Sequence, residues 1–314
     1  MPSLRNLHKL TDPEIRAKNL RATKQALRGL YWDFAKPESP DPIFVIGCSR
    51  SGTTVTYETI AAAPGLRSFG HEIPEFWDDL SGPRNNGWAS EAASEDAARP
   101  EHRAAAQRYF FQRLGAGRVL EKTCINVMRV PYLHRLFPGA RFVYIHRDGR
   151  DNVASLIDGW LYNGHFALTK TLGPLPCEIR ISGGAIRDWS FLLPPGWRDY
   201  NEAPLEEVCA FQWSATNRLA LDALARLPSP QWIRVRYEDL FERPTELFRD
   251  IFARLELPFG EAVQQRCATL ASRPTSIVQG APKRSKWKER HAAEVERIVP
   301  RIAPLMAELG YELD

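Results

Sequence analysis

A chain of 314 residues, 44% hydrophobic and 25% charged, is long enough to bury a large core, as one domain or two. Its net charge of +4 suits an anionic small ligand and gives no ground for a nucleic-acid partner. No apolar run approaches the ~18 residues that span a bilayer, the N-terminus lacks the apolar stretch of a secretory signal, and five scattered cysteines fit reduced thiols, so the expected compartment is the cytoplasm.

In chain order, residues 12–36 carry a helical pattern, with Ile15, Leu20, Leu27, Leu30, Tyr31 and Phe34 roughly on one side. Pro37, Pro40 and Pro42 stop it, so residues 1–41 read as an N-terminal helical extension. An apolar strand from Ile43 runs into Gly-Cys-Ser-Arg-Ser-Gly-Thr-Thr, residues 47–54, and a helix over 53–63 follows, ended by Pro64-Gly65. Residues 81–100 are polar and read as an exposed loop with a short helix. A strand over 118–121 precedes a helix over 126–137. A strand over 141–146 leads at once into a helix over 150–160. Another strand is expected at 231–237, a helix at 244–255, and a last helix over 289–309 that Pro300 and Pro304 kink or break.

Strands alternating with helices predict an α/β fold with a mainly parallel sheet flanked by helices, and a single domain over 1–314. Ligands in such sheets sit beyond the carboxyl ends of the strands, where 47–54, Lys122 and Arg147 fall. Residues 158–207 break the pattern with Trp160, Tyr162, His165, Phe166, Trp189, Phe191, Trp197 and Tyr200. This aromatic content argues against disorder, and the segment reads either as an acceptor-side lid or as plain core.

Gly47 and Gly52 have the separation of a phosphate loop, G-x-x-x-x-G-K-S/T, but Thr53 holds the lysine position and the cation comes instead from Arg50. Such a loop aims backbone N–H groups and a helix N-terminus at an anion. The next strand end carries His146-Arg147 where a nucleoside-triphosphatase would place a magnesium aspartate. Asp148, between Arg147 and Arg150, reads as an ion-pair partner. Arg147 with Ser155, eight residues later, offers a guanidinium and a hydroxyl to a second phosphate. Cys48, inside the loop, reads as a small packing residue, although thiolate character would be favoured there.

Cys48-Ser-Arg-Ser-Gly-Thr-Thr54 resembles the 5′-phosphosulfate loop of sulfotransferases that use 3′-phosphoadenosine 5′-phosphosulfate (PAPS), and Arg147 with Ser155 resembles their 3′-phosphate pair. Glu121-Lys122-Thr123, Arg236-Tyr-Glu-Asp-Leu240, Ser285-Lys286-Trp287 and the closing run from Ile302 to Tyr311 are similar too, so the likeness covers about 42–311 apart from the aromatic insert. The Arg-Asp-Gly-Arg form resembles the tyrosylprotein and bacterial branches. The resemblance implies a P-loop-like sulfotransferase fold and sulfuryl transfer to a hydroxyl or amine of a small-molecule, lipid or saccharide acceptor. It further implies 3′,5′-adenosine bisphosphate as product and no required metal. By the same likeness Arg50, Ser51, Gly52, Thr53 and Thr54 would hold the 5′ end. Arg147 and Ser155 would hold the 3′-phosphate, Tyr237 would be a further cofactor-binding residue, and Lys283, Arg284 and Lys286 would close over the nucleotide. Lys122 and Arg50 would stabilise the transferring charge.

The cytosolic enzymes place a basic histidine where this chain has Cys124, whereas the tyrosylprotein type places a glutamate after a glycine, which Gly70-His71-Glu72 resembles with one residue displaced. That likeness implies Glu72 as the base, with His71 next and Glu75 third. Two competing readings stay open, a P-loop kinase and a catalytically inactive nucleotide-binding protein.

Overall fold

The computed structural model describes residues 12–270 and 284–313. Its centre is a five-stranded, all-parallel sheet in the order β2-β3-β1-β4-β5. The strands are β1 (Ile43–Gly47), β2 (Leu66–Ser68), β3 (Arg118–Glu121), β4 (Arg141–His146) and β5 (Trp232–Arg236). All of β1 is buried, as a central strand covered on both faces must be. Alternate side chains enter opposite cores. Phe44, Ile46, Phe142 and Tyr144 join one, while Ile43, Val45, Val143 and Ile145 join the other. Parallel register sets Gly47 beside Ile145 and His146 beside Arg236, so these strand ends share one rim.

Helices α1 (Pro13–Ala35), α2 (Thr53–Ile60), α3 (Pro74–Ser81), α4 (Pro100–Leu114), α5 (Val130–Leu136) and α6 (Gly149–Trp160) lie in the first half. They are followed by α7 (Leu205–Leu224), α8 (Pro244–Arg254), α9 (Glu261–Thr269) and α10 (Ala292–Glu308). The first core packs under α4 to α7 and α10, the second under α2, α8 and α9.

Several expectations are corrected. Helix α1 does not bury the side named from sequence: Leu20, Leu27, Leu30, Tyr31 and Phe34 are exposed, and Gly29 and Trp32 are the buried positions. It lies against α4, where Arg108 grips Asp33 with bonds of 2.7 and 2.8 Å. The helix expected over 126–137 divides into a 3₁₀ turn (Cys124–Met128) and α5, because Pro131 favours the first turn of a new helix. Helix α10 is not broken at Pro300 and Pro304; Val295, Ile298, Ile302, Leu305 and Met306 are buried along its face and hold it in place. Helices α4 and α7 and the three-residue β2 go beyond the elements expected. The stretch read as an exposed loop, 81–100, buries Ser90, Glu91 and Ala93. Among the described residues no helix is long and apolar enough to cross a membrane.

Candidate functional site

Four connections leave the sheet rim and meet over the loop after β1. In that loop Arg50 and Gly52 both have left-handed backbones, with φ of 70° and 97°. The Gly52 value strains any L side chain, and a methyl group there would lie 2.4 Å from Cδ2 of Tyr237. Glycine at 52 thus lets the Tyr237 ring close against the loop. The loop leads into α2, whose first N–H groups have no helical partners and face the same space.

Arg147, at the end of β4, is turned inward and buried. Its guanidinium lies 4.5 Å from the Tyr237 ring centroid, and Nη1 donates to the Arg50 carbonyl at 3.2 Å. The Arg50 side chain reaches across to α6, where its Nε donates to Ser155 Oγ at 3.2 Å. Arg50, Arg147 and Ser155 therefore form one cluster, and the Arg50 side chain lies on the Ser155 side of the loop. Burial, and then the neighbouring Arg147 charge, lower the Arg50 pKa. Two guanidinium groups held together at such cost form an anion site. Arg147 Nε and Ser51 Oγ are both buried without a hydrogen-bond partner. Thr53 is buried at the start of α2, and Thr54 Oγ1 accepts from Lys122 Nζ at 3.3 Å.

A second layer fixes this cluster. Asp148 caps α6 by accepting from the Arg150 N–H at 2.9 Å and binds the Arg150 side chain at 3.1 and 2.8 Å, the ion-pair role expected of it. Glu238 accepts from the Asp148 N–H at 3.2 Å and from the Tyr311 hydroxyl at 2.9 Å, so the closing motif locks the loop that carries Arg147. Asp151 accepts from the N–H groups of Ser285 and Trp287, at 2.9 and 3.1 Å, and ties the C-terminal segment to α6. Lys286 lies in that segment, its pKa lowered by burial and by Arg147. Arg284 is paired with Glu242 and is mostly exposed, drawn off by that carboxylate rather than turned toward the loop. Lys283 lies outside the described residues.

Lys122, after β3, is buried and sits 2.6 Å from Glu72 Oε1. Burial opposes its charge, but beside the Glu72 carboxylate its pKa stays raised. Glu72 also accepts from the Cys124 N–H at 3.0 Å and its thiol at 3.3 Å. Burial, and then Glu72, push the Cys124 thiol up to about 12, so it stays protonated and is no base. Burial likewise pushes Cys48 up to about 12, and no thiolate forms in the loop. Behind Lys122, burial pushes Glu121 up to about 7 against donors from Thr123, Asn126 and Trp77. His71 is exposed, with its ring edge-on to Phe69 at 6.2 Å, and Glu75 is exposed too. Of the three candidate bases only Glu72 lines the cavity.

That cavity, about 330 Å³, extends from Arg50, Arg147 and Tyr237 past Glu72 to a wall built from the 158–207 insert. Phe166 stacks on Phe191 at 4.6 Å and lies 5.7 Å from the Arg50 guanidinium. Behind it Trp160, Trp189 and Trp197 pack edge to face. Gln212 on α7 accepts from Trp160 Nε1 at 3.1 Å and donates to the carbonyls of Ser190 and Leu192. The insert is thus both core and cavity wall.

Sequence reasoning did not single out Asp151, Glu238, Tyr311, Gln212 or Glu91. Asp151 lies between Arg147 and Ser155, and Glu238 and Tyr311 lie inside quoted motifs, which was the available signal. Nothing in the sequence marks Gln212 or Glu91.

The profile of the sulfotransferase family matches residues 42–169, which hold the loop, Glu72, Lys122, Arg147 and Ser155. The protein-tyrosine sulfotransferase of Drosophila melanogaster is 22% identical over 293 residues, 86% of this chain and 51% of that protein, so the chain spans about half that relative's length. Protein-tyrosine sulfotransferase 1 of Danio rerio is 22% identical over 94% of this chain and 79% of its own length. Among solved structures, the sulfotransferase STF9 from Mycobacterium avium shares the fold with a TM-score of 0.58 at 15% identity, over 97% of this chain and 89% of that one. Residues 42–169 thus match the sulfotransferase family, and the chain shares the fold of a solved sulfotransferase.

Proposed function

We propose that this chain transfers a sulfuryl group from PAPS to a hydroxyl or amine of a small-molecule, lipid or saccharide acceptor. The observation that carries the reading is the pair of buried, unpartnered polar groups, Arg147 Nε and Ser51 Oγ, beside the left-handed loop at Arg50 and Gly52. Both await an anion, and a nucleotide phosphorylated at two positions supplies one at each. Arg147, Arg50 and Ser155 would hold the 3′-phosphate; the 52–54 amides, Ser51 and Lys122 would hold the 5′ end.

Glu72 takes the acceptor proton as the new oxygen–sulfur bond forms. The bond from sulfur to the phosphate oxygen breaks, and its electron pair leaves on the nucleotide. Lys122 and the loop amides offset the charge that gathers on that leaving oxygen. The kinase reading is disfavoured by Thr53 in the lysine position and by Asp148, which is committed to Arg150.

Thermal denaturation tests the assignment. 3′,5′-adenosine bisphosphate at 100 times its dissociation constant should stabilise the fold by ~2.7 kcal/mol, with no response to ATP and magnesium. The reverse ranking makes the protein a kinase.

A further inference from the structure

Glu91 lines the acceptor half of the cavity although it is only 1% exposed. One carboxyl oxygen, Oε2, accepts from the Leu193 N–H at 2.7 Å. The other has no hydrogen-bond partner and no cation within ion-pair distance among the described residues. Arg129 binds Asp78 at 2.7 Å and the Glu91 backbone carbonyl at 2.7 Å, and although its buried Nη1 has no partner it makes no bond to the Glu91 carboxyl. That guanidinium pairs with the Asp78 carboxyl and not with that of Glu91, and of the two acidic residues Glu91 is the one that lines the cavity. His165, Lys170 and Glu72 line the same space, with Arg50 and Arg147 at its other end.

We infer that Glu91 selects the acceptor, its free carboxyl oxygen receiving a basic nitrogen on an acceptor whose apolar body lies against Phe166, Phe191 and Leu192. The inference rests on the sulfuryl-transfer reading proposed above, with the end of the cavity away from Arg147 taking the acceptor. An ammonium supplies the missing charge, and a charge-assisted hydrogen bond in a dry pocket is stronger than a neutral one. Burial, and then Asp78, push Glu91 up to about 8, so the empty cavity holds it protonated at neutral pH. Binding an ammonium then expels that proton. Because the carboxylate form grows as pH rises through this value while an alkylamine stays charged, preference for the amine should also grow.

The probes are 2-phenylethylamine and 2-phenylethanol, titrated calorimetrically into protein saturated with 3′,5′-adenosine bisphosphate. The amine should bind roughly tenfold or more tightly than the alcohol, with a preference that increases from pH 6 to 8.5. Glu91→Gln keeps an oxygen for the Leu193 N–H, and it should erase the preference and its pH dependence without changing bisphosphate affinity. Should that variant fold poorly, the unmodified protein in two buffers of different ionisation enthalpy still decides, since amine binding at pH 7 should release about one proton. Equal binding of the two probes, or no proton release, overturns the inference. An amine preference without bisphosphate binding instead overturns the sulfuryl-transfer reading and leaves the role of Glu91 standing.

Discussion

At one end of the cavity, the anion cluster is assembled from residues that immediately follow strands: the loop at 48–52 after β1, Lys122 after β3, Arg147 after β4 and Tyr237 after β5. At the other end, the wall is assembled from Glu91, Phe166, Leu168, Phe191 and Leu192, which follow no strand directly. In the first region parallel pairing delivers the side chains to a common rim, so short motifs suffice. In the second, buried contacts distant in sequence do the work, above all Gln212 holding the carbonyls of Ser190 and Leu192 at 2.9 and 2.7 Å. One region is built on backbone geometry, the other on side-chain packing. Helix α6 joins them, with Ser155 beside Arg50 and Gly159 beneath Phe191 one turn later.

Three substitutions test the division, from the largest effect to the smallest. Glu72→Gln removes the proposed proton acceptor between the two regions and should lower kcat by roughly 10²- to 10⁴-fold, with bisphosphate affinity unchanged in calorimetry. If His71→Ala produces that loss instead, the base is His71. Arg147→Ala deletes the charge over Tyr237 and should weaken bisphosphate binding by ~1.5–3 kcal/mol, roughly 10- to 150-fold, while acceptor KM moves little. Unchanged affinity would remove Arg147 from the site. Gly159→Ala places a methyl 2.4 Å from Phe191 Cζ. Displacing that ring should shift acceptor KM by an amount worth ~1 kcal/mol. Bisphosphate affinity should hold, and a parallel loss of it would show that the two regions are not separable along α6.

The anion site was legible because its parts are local. Arg50, Gly52, Arg147 and Ser155 could be read from two short stretches, and the strand pattern placed both at one rim. The loop after β1 still held a surprise, since the Arg50 side chain bonds Ser155 rather than lying along the loop. Arg284 was misplaced for a related reason: sequence adjacency to Lys286 does not reveal that Glu242 stands within reach. Glu91 was hidden because its neighbours in sequence are polar and small, the signature of a solvated loop, while its neighbours in space are Leu193 and Arg129.

From its order of residues alone this chain dictates an alternation of strands and helices, a parallel sheet and an anion loop, because backbone periodicity and turn chemistry act over a few residues at a time. Tertiary structure alone decides that α1 buries Trp32 and exposes Leu27, Leu30 and Phe34, that the 158–207 segment serves as both core and wall, and that Glu91 lines the cavity. Those outcomes depend on which surfaces find partners once the chain is closed, and on which buried polar atoms are left without one.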